Sequence, residues 1–124
     1  MSFRNGYLYF VNPCSASIPI KPKFVICMSS DDKLFYLVNS CTDVRPYQYE
    51  LNDVVYIEPL NLRALSHRSY VNVSKPRCID DDDYDNAVEL DYMANDLWLK
   101  IKKKVSENRK IGAKIKSIIA QMQK

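Results

Sequence analysis

Phe24-Val25-Ile26-Cys27-Met28 and Leu34-Phe35-Tyr36-Leu37-Val38 are two apolar runs joined by Ser29-Ser30-Asp31-Asp32-Lys33. Both runs are rich in β-branched and aromatic residues, each has the length of a typical strand, and the polar connector has the composition of a hairpin turn. The sequence therefore predicts a buried central hairpin. Its first strand is entered through Ile20-Lys21-Pro22-Lys23 and its second leaves through Asn39-Ser40-Cys41-Thr42, so basic groups and hydroxyls are expected at one rim of the sheet. Polar residues at strand ends also serve as turn residues.

Short β-rich segments flank the hairpin. Tyr7-Leu8-Tyr9-Phe10-Val11 is apolar on both side-chain parities, as in a strand buried on both faces or one at the closure of a barrel. Val54-Val55-Tyr56-Ile57 is a further strand, stopped by Glu58-Pro59, and Ser69-Tyr70-Val71-Asn72-Val73 alternates as a half-buried strand does. Lys75-Pro76-Arg77-Cys78-Ile79 reads as a short edge strand. About six strands with no long helix among them favour a small antiparallel barrel over residues 1–79, with Val25, Ile26, Phe35, Leu37, Val55, Ile57 and Val71 in its core.

Beyond residue 79 the character changes. Asp80 to Asp83 and Asp85 repel one another and are expected to stay solvated, and Asn86 with Glu89 has the spacing of a capping box opening a helix. Leu90, Met93, Ala94, Leu97 and Ile101 then fall on one helical face, with Trp98 beside them. Ile111, Ile115, Ile118, Ile119 and Met122 repeat the pattern in a basic segment, and Ser106-Glu107-Asn108 is the weak point between the two stretches. Residues 80–124 thus read as an acidic linker and one or two amphipathic helices that pack on the barrel within the same domain, Trp98 with Leu97 and Ile101.

The 124 residues suffice for one hydrophobic core and therefore one domain. No apolar run is long enough for a membrane span, and the N-terminal residues do not read as a secretory signal, which makes the cytoplasm the expected location. Cys14, Cys27, Cys41 and Cys78 lack the spacing of a metal site, so four reduced thiols, no metal and no cofactor are expected. The net charge of +3 hides an asymmetry: residues 80–96 hold eight acids and no base, and residues 97–124 hold nine bases and one acid. A basic helix beyond an acidic block can bind an acidic partner or nucleic acid, or the two blocks can pair with each other.

Leu65-Ser66-His67-Arg68-Ser69-Tyr70-Val71, following the strand 54–57 and Glu58-Pro59, resembles the proline, short turn, histidine, serine, tyrosine and valine passage of MazF/PemK-like toxins. The order upstream is similar: a first strand at 7–12, a variable loop at 14–21, then Lys21-Pro22-Lys23-Phe24-Val25-Ile26, and a strand ending at Ser40 where the family has its hydroxyl residue. The likeness covers roughly residues 6–79 at the level of pattern. It implies an SH3-like barrel with a terminal helix, metal-independent cleavage of single-stranded RNA as part of a toxin-antitoxin or phage-defence system, a homodimer, and neutralisation by an antitoxin protein. By the same resemblance the family's arginine falls on Lys21 or Lys23 and its catalytic hydroxyl on Ser40. Lysine offers a mobile point charge where arginine offers a planar fork, so this departure weakens the expected catalysis.

The residue chemistry can be read beside that likeness. RNA cleavage without a metal needs a base for the 2′-hydroxyl proton, cations or N–H donors for the developing phosphorane, and an acid for the leaving oxygen. His67, the only histidine, suits acid–base work near neutral pH. Lys21, Lys23, Arg45 and Arg68 are candidate phosphate ligands, and Tyr47, Tyr49 and Tyr70 candidate stacking platforms for unpaired bases. The antiparallel hairpin brings Lys21 and Lys23 toward Ser40, and the expected site joins them with His67. A catalytically inactive barrel that binds nucleic acid or a protein partner through its C-terminal helices is the alternative function.

Overall fold

The computed structural model describes residues 3–17, 20–40, 53–60, 62, 64–79 and 81–124, without the side chain of Asp81. Among these residues seven strands form one antiparallel sheet: β1 (Tyr7–Cys14), β2 (Lys21–Ser29), β3 (Leu34–Ser40), β4 (Val54–Ile57), β5 (Ser69–Asn72), β6 (Arg77–Cys78) and β7 (Ala87–Tyr92). Two helices follow, α1 (Asn95–Glu107) and α2 (Ala113–Gln121). The hairpin is β2–β3, paired Phe24 with Val38 through Cys27 with Phe35, and it lies at the middle of the sheet order β4-β5-β3-β2-β1-β7. β6 shares the β5 side of β3, lying against Leu34 and Phe35 while β5 lies against Val38 to Ser40.

Alternation along the strands builds a core on each face of this sheet. On one face Leu8, Ile26, Tyr36, Val55, Ile57 and Val71 pack against the helices through Leu97, Trp98, Ile101, Val105 and Ile119. On the other, Tyr9, Val25, Cys27 and Phe35 pack with Phe3 and Ile79. The ring of Phe3 meets Tyr9, Phe35 and Tyr84 edge-on, with centroids 4.8, 4.8 and 5.0 Å away. β1 is therefore buried on both faces, which is why both its parities are apolar. Of the core residues expected from sequence only Leu37 is partly exposed.

Three expectations are corrected. The barrel does not close: β4 and β7 end the hydrogen-bonded order among the described residues. Asn86 and Glu89 open no helix, because Asp81–Asn86 is a 3₁₀ turn and Ala87–Tyr92 is a strand on the outer edge of β1. The segment Ala-Val-Glu-Leu-Asp-Tyr carries both periods, and pairing with β1 decides for the strand, since it satisfies backbone groups and sets Glu89 beside Tyr9. The sheet thus takes its last strand from beyond Ile79. Finally, the acidic block is not uniformly solvated: Asp83 is buried and accepts a 2.6 Å hydrogen bond from Ser15 Oγ.

The terminal stretch forms two helices, and the break falls at Glu107 and Asn108. Trp98 is 3 % exposed and packs with Leu97 and Ile101 as the apolar stripe predicts. Gly112 caps the N-terminus of α2, where it escapes the cost of a glycine inside a helix. Among the described residues no helix is long and apolar enough to cross a membrane. Cys14 and Cys27 are buried free thiols and Cys78 an exposed one; Cys41 lies outside the described residues. Burial pushes the Cys27 thiol up to about 12.

Candidate functional site

The polar ends of β2, β3 and β5 do meet at one rim, and strand alternation divides them between two faces. Ser40 pairs with Ser69 across β3 and β5. Val38 and Ser40 point to the helix-covered face, as does Phe24, whose neighbour in β3 is Val38. The turn before β5 brings His67 to the same place. Ser40, His67, Ser66 and Ser69 line a cavity of 110 Å³ whose apolar wall includes Phe24, Val38 and Leu65. That volume is below the roughly 300–1,000 Å³ of small-molecule pockets and suits a group the size of a phosphate.

The turn itself is held locally. Ser69 is buried and its Oγ donates to the His67 carbonyl at 3.2 Å, while the His67 side chain is exposed and Leu65 is anchored in the core by its amide donating to the Leu62 carbonyl at 3.1 Å. The arrangement sets hydroxyl groups against an apolar wall with an imidazole at the mouth. Such a site can hold an anion's oxygens and move a proton.

Lys21 and Lys23 lie on the other face. Lys23 Nζ donates to Asn39 Oδ1 at 2.7 Å, and Asn39 alternates with Ser40, so this ammonium is directed away from the cavity. Burial, and then the charge of Lys21, lower the Lys23 ammonium below the usual lysine value, with Cys14 acting in the opposite sense. Lys21 shares the parity of Lys23 on β2.

The expected RNA-binding residues divide in the same way. Asn39, Tyr70 and Tyr56 are successive cross-strand partners on the face that carries Lys23. Arg68 joins them: its guanidinium carbon is 4.1 Å from the Tyr56 ring centroid, and Nε donates to Glu58 Oε1 at 2.7 Å. Tyr70 is 5 % exposed, so its ring has no open face for a base. Arg45, Tyr47 and Tyr49 lie outside the described residues. The structure therefore unites Ser40 with His67 and separates both from Lys21, Lys23, Arg68 and Tyr70.

Sequence reading missed Ser69, Phe24, Asn39 and Tyr56. The signal was present as parity: once β2, β3 and β5 are placed in register, alternate residues fall on one face, and only the register tells which. Among the described residues no cluster of His, Cys, Asp or Glu has the makings of a metal site. No protein-family model matches the chain, and a search of curated proteins finds no relative.

Proposed function

We propose that this protein is a metal-independent endoribonuclease of the MazF/PemK-like kind, with its sheet a variant of the SH3-like barrel, acting in the cytoplasm on single-stranded RNA. One observation carries the reading: Ser40 and His67, distant in sequence, line a single phosphate-sized cavity. In this reaction His67 takes the proton of the 2′-hydroxyl and that oxygen attacks the adjacent phosphorus. The bond to the 5′-oxygen breaks, that oxygen takes a proton from water, and the products are a 2′,3′-cyclic phosphate and a 5′-hydroxyl end. In this reading the Ser40 hydroxyl meets a non-bridging oxygen, and the Ser69 hydroxyl, which donates to the His67 carbonyl, holds the turn that carries the imidazole. A homodimer and a neutralising antitoxin protein complete the proposal, on the resemblance alone.

Labelled single-stranded RNA incubated with the protein, with and without EDTA, tests this. Cleavage is expected to persist in EDTA, to yield cyclic phosphate ends, and to fall by about 10²–10⁴ in His67→Ala, the usual contribution of a general acid or base. His67 is exposed, so that variant should keep its melting temperature. Wild-type protein that leaves RNA intact, or cleavage indifferent to both Ser40→Ala and His67→Ala, overturns the proposal.

A second reading, a module that binds nucleic acid or protein without cleaving it, is favoured by a different observation. Among the described residues that line the Ser40–His67 cavity there is no lysine or arginine to serve as the cation that a phosphorane calls for. RNA bound and recovered uncut would select this reading.

A further inference from the structure

The charge asymmetry of residues 80–124 survives folding. Acids of the 80–96 block find their partners earlier in the chain: Asp83 accepts from Ser15 Oγ, Glu89 pairs with Arg4, and Asp91 accepts from the Ala64 amide at 2.6 Å. Among the described residues no ion pair joins that block to the bases of residues 97–124. Of those bases, Lys110 pairs with Asp53, and Lys102 and Lys124 donate to the Met122 and Met93 carbonyls. The helices therefore keep a net positive charge.

Part of that charge is gathered in one place. Asp53 accepts 2.6 Å hydrogen bonds from Asn108 Nδ2 and Lys110 Nζ, which fixes the end of α1 against the start of β4. This sets Lys100, Lys103 and Lys104 along a groove of 190 Å³ whose other wall is Val54 and Val55. The three lysines fall at i, i+3 and i+4 on one flank of the helix, beside the buried stripe of Leu97, Ile101 and Val105. Lys100 and Lys103 are exposed, Lys104 is half-buried, and none of the three makes an ion pair among the described residues. Glu107 is the one acid among the residues that line the groove. Val55 lies opposite Val71 and Val71 opposite Val38, which lines the Ser40–His67 cavity. The lysine row and that cavity thus share the helix-covered face, with Val55 and Val38 two strand spacings, about 10 Å, apart.

We propose that Lys100, Lys103 and Lys104 form a phosphate-binding track that holds the backbone of single-stranded RNA beside the Ser40–His67 cavity, an inference that rests on the reading of that cavity as the cleavage site. The lysines meet phosphates that neighbour the reacting one, and each ammonium, a point charge on a mobile stem, follows its phosphate. Phosphates carry no base identity, so the track grips the strand without reading its sequence. The groove favours RNA over an acidic protein segment. Val54 and Val55 are 6 and 1 % exposed, so its wall offers no apolar surface for the anchoring side chains on which protein docking depends, whereas cations alone suffice for a phosphate backbone.

The probe is fluorescein-labelled oligouridylate with 2′-O-methyl groups, which lacks the attacking hydroxyl and so reads binding apart from cleavage. Fluorescence anisotropy with the full chain over a range of salt gives the slope of log affinity against log salt. The variant K100Q/K103Q/K104Q should bind about tenfold or more weakly and lower the magnitude of that slope by about 2, three contacts at roughly 0.7 each. Lys103→Gln alone, at an exposed position, should lower it by about 0.7. The control R109Q/K114Q/K116Q removes as much charge from outside the groove and should leave the slope near the wild-type value. On unmodified RNA the groove variant should raise KM and leave kcat unchanged, since the three lysines do not touch the reacting atoms. Equal effects of the two triple variants, or a slope that neither the groove triple nor Lys103→Gln moves, would overturn the proposal. So would a polyglutamate peptide of matched charge that binds as tightly, which would assign the groove to an acidic protein. Cleavage whose KM the groove variant leaves unmoved overturns the track and keeps the cleavage reading. Lysine-dependent binding by a wild-type protein that leaves unmodified RNA uncut supports the track and overturns the cleavage reading.

Discussion

Asp53 sits where the sheet meets the helices, and its carboxylate is almost wholly buried at 5 % exposure. Burial raises its pKa, and the hydrogen bonds from Lys110 and Asn108 more than offset that, leaving the group below the usual carboxylate value. A folded-state pKa below the unfolded one means that the contribution to stability is full above the unfolded value, about 4, and is lost as pH falls through the lower, folded one. Asp53→Asn should therefore destabilise by about 1–3 kcal/mol at neutral pH, as expected for a buried hydrogen bond to a charged group. In urea titrations across pH the gap between wild type and variant should close on acidification. Glu89, lowered by Arg4 first and by Tyr9 as well, adds its own acid sensitivity to both proteins, and the difference between them isolates Asp53. A gap that stays constant to low pH would refute this account.

At the scale of elements, the two readings of residues 86–94 make opposite claims about side chains. On a helix Leu90 would share a buried stripe with Met93, Leu97 and Ile101; on strand β7 it is 39 % exposed. Leu90→Thr should then change stability by no more than about 0.5 kcal/mol, since a β-branched residue suits an exposed strand position. Trp98→Ala should cost about 3–5 kcal/mol, because the indole fills the space between α1 and the sheet. Urea midpoints of the two variants against wild type check both. Helix α1, its stripe from Leu97 onward and its end at Glu107 were legible because the 3.6-residue period is long and uninterrupted there. Its start was not. Six residues can satisfy a helical and an alternating pattern at once, and the free edge of β1 settled which applied.

Over the whole molecule, the two cores share one sheet, with α1 and α2 on one face and Phe3, the 3₁₀ turn and Ile79 on the other. Strands β1, β2 and β3 send side chains into both, so neither core can dissolve without the backbone that holds the other. Unfolding should be a single transition: Trp98 fluorescence, reporting the helix face, and near-ultraviolet dichroism dominated by Tyr9 and the aromatic rings around Phe3 should give coincident urea midpoints. Separated midpoints would mean that the faces melt independently. The sequence by itself determined the hairpin, six of the strands, an amphipathic helical region after them and most of the residues that face the core, because each follows from a local period or a turn signal; whether that region is one helix or two it left open. It also placed basic groups and hydroxyls at one rim, since antiparallel strands bring an entry and an exit to the same end. Only the tertiary structure decided that the sheet stays open, that β7 extends it, and that Lys21 and Lys23 turn away from Ser40 and His67. The physical reason is that a strand has two faces, and which residues share one depends on inter-strand register, a relation between distant segments that no local pattern encodes.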